Sequence, residues 1–151
     1  MLEEKLKDLG IEIPEAPMPL ASYIPSTIVG NLVYTAGQVP LINGKLKNAG
    51  LVGRDISMAD AQEAAKTCAI NCLGAVKKAI GDLNKIKRIV KLTVFVASED
   101  GFVDQPKVAN GASDLLVEIF GENGKHVRSA VGVTALPLNA PVEIEMIVEL
   151  K

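Results

Sequence analysis

The sequence predicts one α+β domain, in which a single mixed sheet carries two helices on one face. Three observations support this class. β-rich runs lie at both ends of the chain, two helical patterns lie between them, and no linker or repeat divides the 151 residues. That length suits one domain with a real core. We expect the order β-β-α-β-α-β-β over residues 23–151, after a lead-in over residues 1–22.

The composition disfavours several functional classes. A net charge of −2 and an aromatic content of 3% argue against nucleic-acid binding, which needs a basic surface and rings that stack on bases. No apolar run approaches the roughly 20 residues that span a bilayer, so no membrane association is expected. The charged start, Met1–Gly10, lacks an apolar signal core. We therefore expect a cytoplasmic protein.

The first elements are indicated by leucines, prolines and a hairpin signal. Three leucines at helical spacing predict a helix over Met1–Leu9, and prolines at positions 14, 17 and 19 predict an extended segment after it. Strands are expected over Ser22–Val29 and Leu32–Thr35. The pair Gly30-Asn31 between them is typical of a two-residue hairpin.

Two helices follow a loop. Residues 39–55 are rich in glycine and predict a loop with a possible short strand at Lys45–Leu46. Ser57 is a suitable N-cap for a long helix with a stripe of small residues, and Gly81 is a suitable stop. That stripe includes Cys68 and Cys72, which we interpret as core residues. The second helix is expected over Pro106–Phe120.

The remaining strands are Ile86–Ala97, His126–Val133 and Val142–Leu150. Their alternating patterns predict that one face of the sheet is covered by the helices. In the first of these strands the period places Arg88 and Leu92 on the same side. The opposite face would expose many apolar residues, and an apolar face of that size calls for burial. Self-association is the simplest way to bury it.

Arg128 is the first candidate for a functional residue, because it lies inside an apolar strand. A buried guanidinium needs a partner, and its planar fork fits a carboxylate through two parallel hydrogen bonds. The period of the strand places His126, Arg128 and Ala130 on one face, with space left by the small alanine. From the residues alone, a ligand site and a structural salt bridge to Glu143 are equally supported.

Three other polar residues have open roles. Glu143 and Glu145 share the polar face of the last strand. They are either catalytic carboxylates or part of a solvated surface. The pattern alone favours the solvated surface. His126 is the only histidine. With no second histidine or cysteine near it, a metal site is not expected, and we interpret it as a structural or cleft-edge residue.

Three ordered motifs resemble those of the Rid family, the reactive-intermediate (enamine/imine) deaminases, also called YjgF-type and sometimes labelled endoribonuclease L-PSP. The C-terminal motif is Arg128-Ser129-Ala130-Val131, then Ala135-Leu136-Pro137 and Val142-Glu143-Ile144-Glu145. The earlier motifs are the hairpin segment over residues 30–38 and the strand segment over residues 91–96. The resemblance covers about Tyr23 to Glu149.

The resemblance implies a chorismate-mutase-like fold assembled as a homotrimer with clefts between subunits. It implies that Arg128 binds the carboxylate of a 2-imino acid and that Glu143 positions or activates water. Tyr23, Gly37, Ala130 and Asn110 would line the cleft. The implied reaction is hydrolysis of an imine to a 2-keto acid and ammonia, without a metal or organic cofactor.

Some positions depart from the family pattern. Ala130 stands where the deaminase branch often has cysteine, and Gly132 where it often has glutamate, while the segment over residues 39–57 is longer than usual. These departures bear on the substrate more than on the arginine. The main alternative is a trimer that binds a small metabolite without turnover. A ribonuclease is disfavoured by the net charge and the scarcity of aromatic residues.

Overall fold

The helices and strands follow the predicted order, and the computed structural model describes residues 1–18 and 21–151. The helices are α1 (Leu2–Asp8), α2 (Met58–Ile80) and α3 (Gln105–Phe120). The strands are β1 (Ser26–Val29), β2 (Leu32–Thr35), β3 (Leu41–Ile42), β4 (Lys45–Leu46), β5 (Ile86–Ala97), β6 (Val127–Val133) and β7 (Val142–Leu150). The predicted short strand at Lys45–Leu46 is therefore confirmed, and it pairs with β3.

Five strands form one mixed sheet in the order β1-β2-β7-β5-β6. Neighbouring strands are antiparallel except β5 and β6, which are parallel because α3 carries the chain back across the sheet. The strands β1 and β6 are consequently the two edges. Gly30 adopts a φ of 63° in the turn between β1 and β2, as the predicted two-residue hairpin requires.

Helices α2 and α3 pack against each other and cover one face of the sheet, as predicted. The Ser57 hydroxyl accepts the backbone N–H of Asp60 at 3.1 Å, a cap that contributes about 1 kcal/mol. Small residues let α2 approach the strands closely, so the Cys72 thiol lies 3.3 Å from the Ile144 carbonyl. Burial raises the pKa of Cys72 to about 12, which agrees with a core role.

Alternate residues of β7 form the centre of the core. Val142, Ile144 and Val148 have no solvent exposure, and Met146 is 1% exposed. Truncating a fully buried leucine or methionine to alanine in such a core costs about 2–5 kcal/mol. The intervening β7 residues lie on the other face of the sheet, called the open face below. That face carries exposed apolar side chains, among them Val29, Tyr34 and Val131.

Two details of the strand predictions are wrong. The first strand begins at Ser26 rather than Ser22, because Pro25 has no N–H to donate to a ladder and Ser22–Ile24 stay exposed. In β5 the register shifts between Ile86 and Arg88 and again between Ile89 and Lys91. These irregularities turn Ile89 into the core at 1% exposure, whereas Arg88 is exposed and pairs with Glu149. The alternation predicted for Arg88 therefore fails.

The lead-in packs on the same core. Leu6 of α1 is 6% exposed, and the Lys78 ammonium donates to the Ala16 carbonyl at 2.8 Å. Residues 11–18 have no regular structure, as their prolines predict, whereas the prediction for Pro19 lies outside the described residues. In the part of the chain that the structure describes, no helix is both long and apolar enough to span a membrane.

Candidate functional site

Arg128 lies on the edge strand β6 and points to the same face as the helices. Its register partner on β5 is Leu92, which is fully buried. The position is partly exposed rather than interior, because β6 has no neighbour on its outer side. The expectation of a strand-interior arginine is thus corrected, since the edge and the partial exposure reduce the cost of the charge.

Helix α3 holds the Arg128 guanidinium through three hydrogen bonds. Its Nη1 donates to Asn110 Oδ1 at 2.8 Å and to Ser113 Oγ at 3.0 Å, and its Nη2 donates to the Pro106 carbonyl at 3.2 Å. All three acceptors are neutral, so none of them balances the positive charge of Arg128. A guanidinium has five N–H donors, and with three committed two are left for a ligand.

The salt bridge between Arg128 and Glu143, one of the two alternatives from the sequence, is absent. Among residues 1–18 and 21–151, no carboxylate lies within ion-pair distance of Arg128. The register explains why. Glu143 pairs with Phe95 on the open face, whereas Arg128 pairs with Leu92 on the helix face. The two side chains therefore leave the sheet in opposite directions.

His126 extends the hydrogen-bond network behind Arg128. Its Nε2 lies 2.9 Å from Ser113 Oγ, and its Nδ1 lies 2.7 Å from the Gly124 carbonyl. A carbonyl only accepts, so Nδ1 carries the proton and Nε2 accepts from the Ser113 hydroxyl. Burial and then the nearby Arg128 charge lower the pKa of His126, against the opposing effect of the Gly124 carbonyl. The lowered pKa favours the neutral form of the imidazole.

Ala130 follows on the same face of β6, opposite Val94, and is partly buried. Gly132 comes next, and a Cβ there would lie 2.8 Å from Gln105 Nε2 and 2.9 Å from Ser98 Oγ. Gln105 thus occupies the space that a side chain at position 132 would need. Its amide donates to the Phe102 carbonyl at 2.7 Å. We call Arg128, Asn110, Ser113 and Ala130 the arginine half-site.

Glu143 lies on the open face directly beside Gly37. A Cβ on Gly37 would lie 2.8 Å from Glu143 Oε1, so a glycine is what leaves room for the carboxylate. The chain is held there by reciprocal backbone hydrogen bonds between Gln38 and Ile144, at 2.8 and 3.0 Å. Partial burial, and then the neighbouring Glu145 carboxylate, raise the pKa of Glu143. We call Glu143 and Gly37 the glutamate half-site.

Tyr23 lies in the segment before β1 and is 58% exposed. That segment continues into Pro25, whose carbonyl accepts the backbone N–H of Ala36 at 2.8 Å. The tyrosine is thereby placed near the chain that leads into Gly37. It belongs to the β1–β2 side of the sheet, whereas Arg128 is on the opposite edge strand, and strands β1 and β6 are about 19 Å apart at the usual strand spacing.

The predicted residues therefore fall into two groups on one chain. The structure brings Asn110 to Arg128 and Gly37 to Glu143, but it separates Arg128 from both Glu143 and Tyr23. Two cavities on the described chain lie elsewhere. One of about 80 Å³ is lined by Ile42, Lys47 and Asp60 among others. The other, of about 240 Å³, lies beside α1. Neither includes a residue of the half-sites.

Two contacts of the arginine half-site were not expected from the sequence. The Pro106 carbonyl is a backbone group, and no sequence signal identifies such an acceptor. Ser113 did have a signal, because it lies three residues after Asn110 on a helix and so shares its face. The link from Ser113 to His126 depends on how the turn after α3 is folded, which the sequence pattern leaves open.

The five-stranded sheet with two helices on one face is the chorismate-mutase-like class of α+β fold. Residues 3–150 match the family described as "YjgF/chorismate mutase-like, putative endoribonuclease". The chain therefore belongs to the YjgF family, and the resemblance seen in the three sequence motifs is confirmed.

Relatives with similar sequences cover nearly the whole chain. Protein TCP17 of Trypanosoma cruzi is 41% identical, with 96% of this chain and 91% of that protein covered. A 2-iminobutanoate/2-iminopropanoate deaminase of Dermatophagoides farinae is 33% identical, with 93% and 95% covered. Atu1372 from Agrobacterium tumefaciens, a protein of unknown function with a crystal structure, is 52% identical in sequence to this chain. It has a TM-score of 0.92, with 99% of this chain and 92% of that chain covered.

Proposed function

We propose that this protein hydrolyses small 2-imino or enamino acids to 2-keto acids and ammonia, in clefts between the subunits of a homotrimer. The observation that carries the proposal is the Arg128 guanidinium. It is fixed by neutral acceptors, has no carboxylate partner among the described residues, and keeps two donors for an anion. A fork of this kind fits a substrate carboxylate.

The placement of the half-sites supports a cleft between copies. Strands β6 and β7 are separated by β5, so their backbones are about 10 Å apart, and Arg128 and Glu143 point away from opposite faces. One small acid cannot touch both groups of a single chain. A second copy, packed with its open face toward the β6 edge, would bring its own Glu143 to the first copy's Arg128. This arrangement would also cover the exposed side chains of Val29, Tyr34 and Val131.

The chemistry needs few groups, because a protonated imine is already electrophilic. With the carboxylate on Arg128, a water attacks the imine carbon, and Glu143 accepts one proton of that water. The C–O bond forms as the π electrons move to nitrogen, which gives a neutral carbinolamine. Glu143 then returns the proton to the amine. The hydroxyl oxygen forms the carbonyl as the C–N bond breaks, and ammonia leaves with the hydroxyl proton as ammonium.

The raised pKa of Glu143 suits this exchange, since a carboxyl group moves protons best when its pKa approaches the working pH. Membership of the family and the relative named as a deaminase support the same reaction. Tyr23, Gly37, Ala130 and Asn110 would line the cleft, with Tyr23 and Gly37 from one copy and Ala130 and Asn110 from the other.

The test uses 2-iminobutanoate generated in situ by an amino-acid oxidase, trapped competitively with semicarbazide. The wild-type protein should shorten the life of the imine. Arg128→Ala removes two charge-assisted bonds of about 1.5–3 kcal/mol each, so kcat/KM should fall at least about 100-fold. Arg128→Lys keeps the charge but not the fork, and should recover only part of the activity.

Equal activity of wild type and Arg128→Ala would overturn the proposal. Ala130 and Gly132 place no reactive group beside Arg128, which leaves a binding protein as the second candidate. That candidate would be favoured if the wild type binds 2-oxobutanoate by calorimetry, depends on Arg128 for that binding, and yet leaves the imine untouched.

A further inference from the structure

We infer that His126 and Ser113 are positioning residues for Arg128, acting as a hydrogen-bonded chain that aims the guanidinium at its ligand. The inference rests on the proposed function, since it assumes that Arg128 binds a carboxylate. It concerns residues that do not themselves reach the substrate. Its basis is the continuous path from the Gly124 carbonyl through His126 and Ser113 to Arg128 Nη1.

The direction of each hydrogen bond in the chain is determined by its ends. The Gly124 carbonyl accepts from Nδ1–H of His126, at 2.7 Å. Nε2 must then accept, so the Ser113 hydroxyl donates to it at 2.9 Å. With its proton committed, the Ser113 oxygen turns its lone pairs toward Arg128, and it accepts from Nη1 at 3.0 Å. His126 therefore determines which way the serine hydroxyl points.

Without an acceptor at position 126, the Ser113 hydroxyl has an alternative. A serine inside a helix readily donates to the backbone carbonyl four residues earlier, which is that of Ala109. That rotation would take its lone pairs away from Arg128. The guanidinium would keep Asn110 and Pro106 as acceptors but lose the one that fixes the second Nη1 proton, so its plane would be held by two acceptors instead of three.

The charges around His126 keep it in the accepting form. Arg128 on β6 lowers its pKa, in addition to burial. Of the other charged groups on the elements around it, Lys125 is paired with Glu122 at 2.7 Å, and Asp114 on α3 and Lys91 on β5 are exposed. A neutral imidazole that accepts at Nε2 is what the chain requires, and these surroundings supply it.

The first measurement does not depend on the enzyme reaction. His126 is the only histidine, so its ring nitrogens give unambiguous signals in ¹⁵N-labelled full-length protein. At pH 7.5 the neutral ring should carry its proton on Nδ1, and Arg128→Gln should raise the pKa of His126 by removing a positive neighbour. A ring protonated mainly on Nε2 would overturn the inference, because Ser113 would then accept from it rather than donate.

The second measurement is a double-mutant cycle on the binding of 2-oxobutanoate and on KM for the imine. His126→Phe and Ser113→Ala should each weaken binding about tenfold, with kcat nearly unchanged, since each removes one support of a charged group. The double variant should be no weaker than either single variant, because both act through the same hydrogen bond. His126→Gln, whose amide oxygen can accept near the Nε2 position, should recover most of the loss.

Thr67→Ala is the matched control, since it deletes a helix hydroxyl that, within residues 1–18 and 21–151, bonds only to its own helix, at the Glu63 carbonyl. It should leave binding unchanged. Additive losses near a hundredfold in the double variant, or a kcat loss that glutamine does not rescue, would mean a general structural role and would overturn the inference. If Arg128→Ala itself leaves binding intact, the proposed function fails instead, and the ¹⁵N result still decides the hydrogen-bond chain.

Discussion

The arginine and glutamate half-sites are built in different ways. Arg128 is held from behind by α3 through three neutral acceptors, on an edge strand. Glu143 projects from the middle of the sheet onto the open face, beside a glycine that leaves it room. The arginine half-site holds a fixed positive charge with no carboxylate beside it among the described residues. The glutamate half-site holds a partly buried carboxylate with no positive charge beside it among the same residues. Each supplies what the other lacks, and the sheet separates them within one chain.

The difference predicts that the two halves control different kinetic constants. Glu143→Gln keeps the shape of the side chain but removes the base, so kcat should fall about 10²–10⁴-fold. Binding of 2-oxobutanoate, which depends on Arg128, should stay within about twofold of wild type. Steady-state kinetics and calorimetry on the same preparation check both values. If Glu143→Gln instead weakens the binding of 2-oxobutanoate and leaves kcat unchanged, the ligand depends on the glutamate half-site for binding, and the division of roles proposed for the two half-sites is wrong.

A smaller change in the glutamate half-site tests the role of Gly37. In Gly37→Ala the new methyl group would meet Glu143 Oε1, and the flexible carboxylate would move aside. We expect kcat to fall about tenfold, since misplacing a catalytic group by about 1 Å already lowers rates substantially. Stability should change little. In the Glu143→Gln background, Gly37→Ala should change kcat very little. If it lowers kcat there as much as in the wild type, Gly37 does not act through Glu143.

The smallest effect concerns pH. Because the pKa of Glu143 is raised by burial and then by Glu145, the basic form is lost at a higher pH than for an ordinary glutamate. The acidic limb of kcat/KM should therefore lie above pH 4.5, the ordinary value. Glu145→Gln removes the like charge and should move that limb to lower pH. A pH profile of both proteins checks the sign, and a limb that moves upward would contradict the assignment to Glu143.

The sequence predicted the helices and the long strands well because their signals are local. Ser57, Gly81 and the Gly30-Asn31 turn determine element ends through backbone geometry, which needs no tertiary information. The alternation predicted for β5 is wrong at Arg88, because the irregular register of β5 depends on how β7 pairs with it.

The candidate site was predictable in part for the same reason. Arg128 was singled out by a charge within an apolar run, and Glu143 by its place on the polar face of β7. The edge position of β6 depends on strand order, and the placement of Arg128 and Glu143 on opposite faces depends on how β6 and β7 pair in register with β5. The Pro106 carbonyl and the Ser113–His126 contact depend on the packing of α3 against β6. Neither kind of information is present in the period of a single strand.

The central claim, that one working site takes its arginine and its glutamate from different copies, has a direct test. Arg128→Ala and Glu143→Gln chains carrying different tags are co-expressed, and the mixed oligomers are purified through both tags. Each variant alone should be nearly inactive. In a closed trimer that contains both variants, one of the three clefts combines an intact Arg128 with an intact Glu143, so mixed oligomers should recover about a third of wild-type activity. Mixed oligomers, verified by native mass spectrometry, that are no more active than the separate variants would contradict the claim.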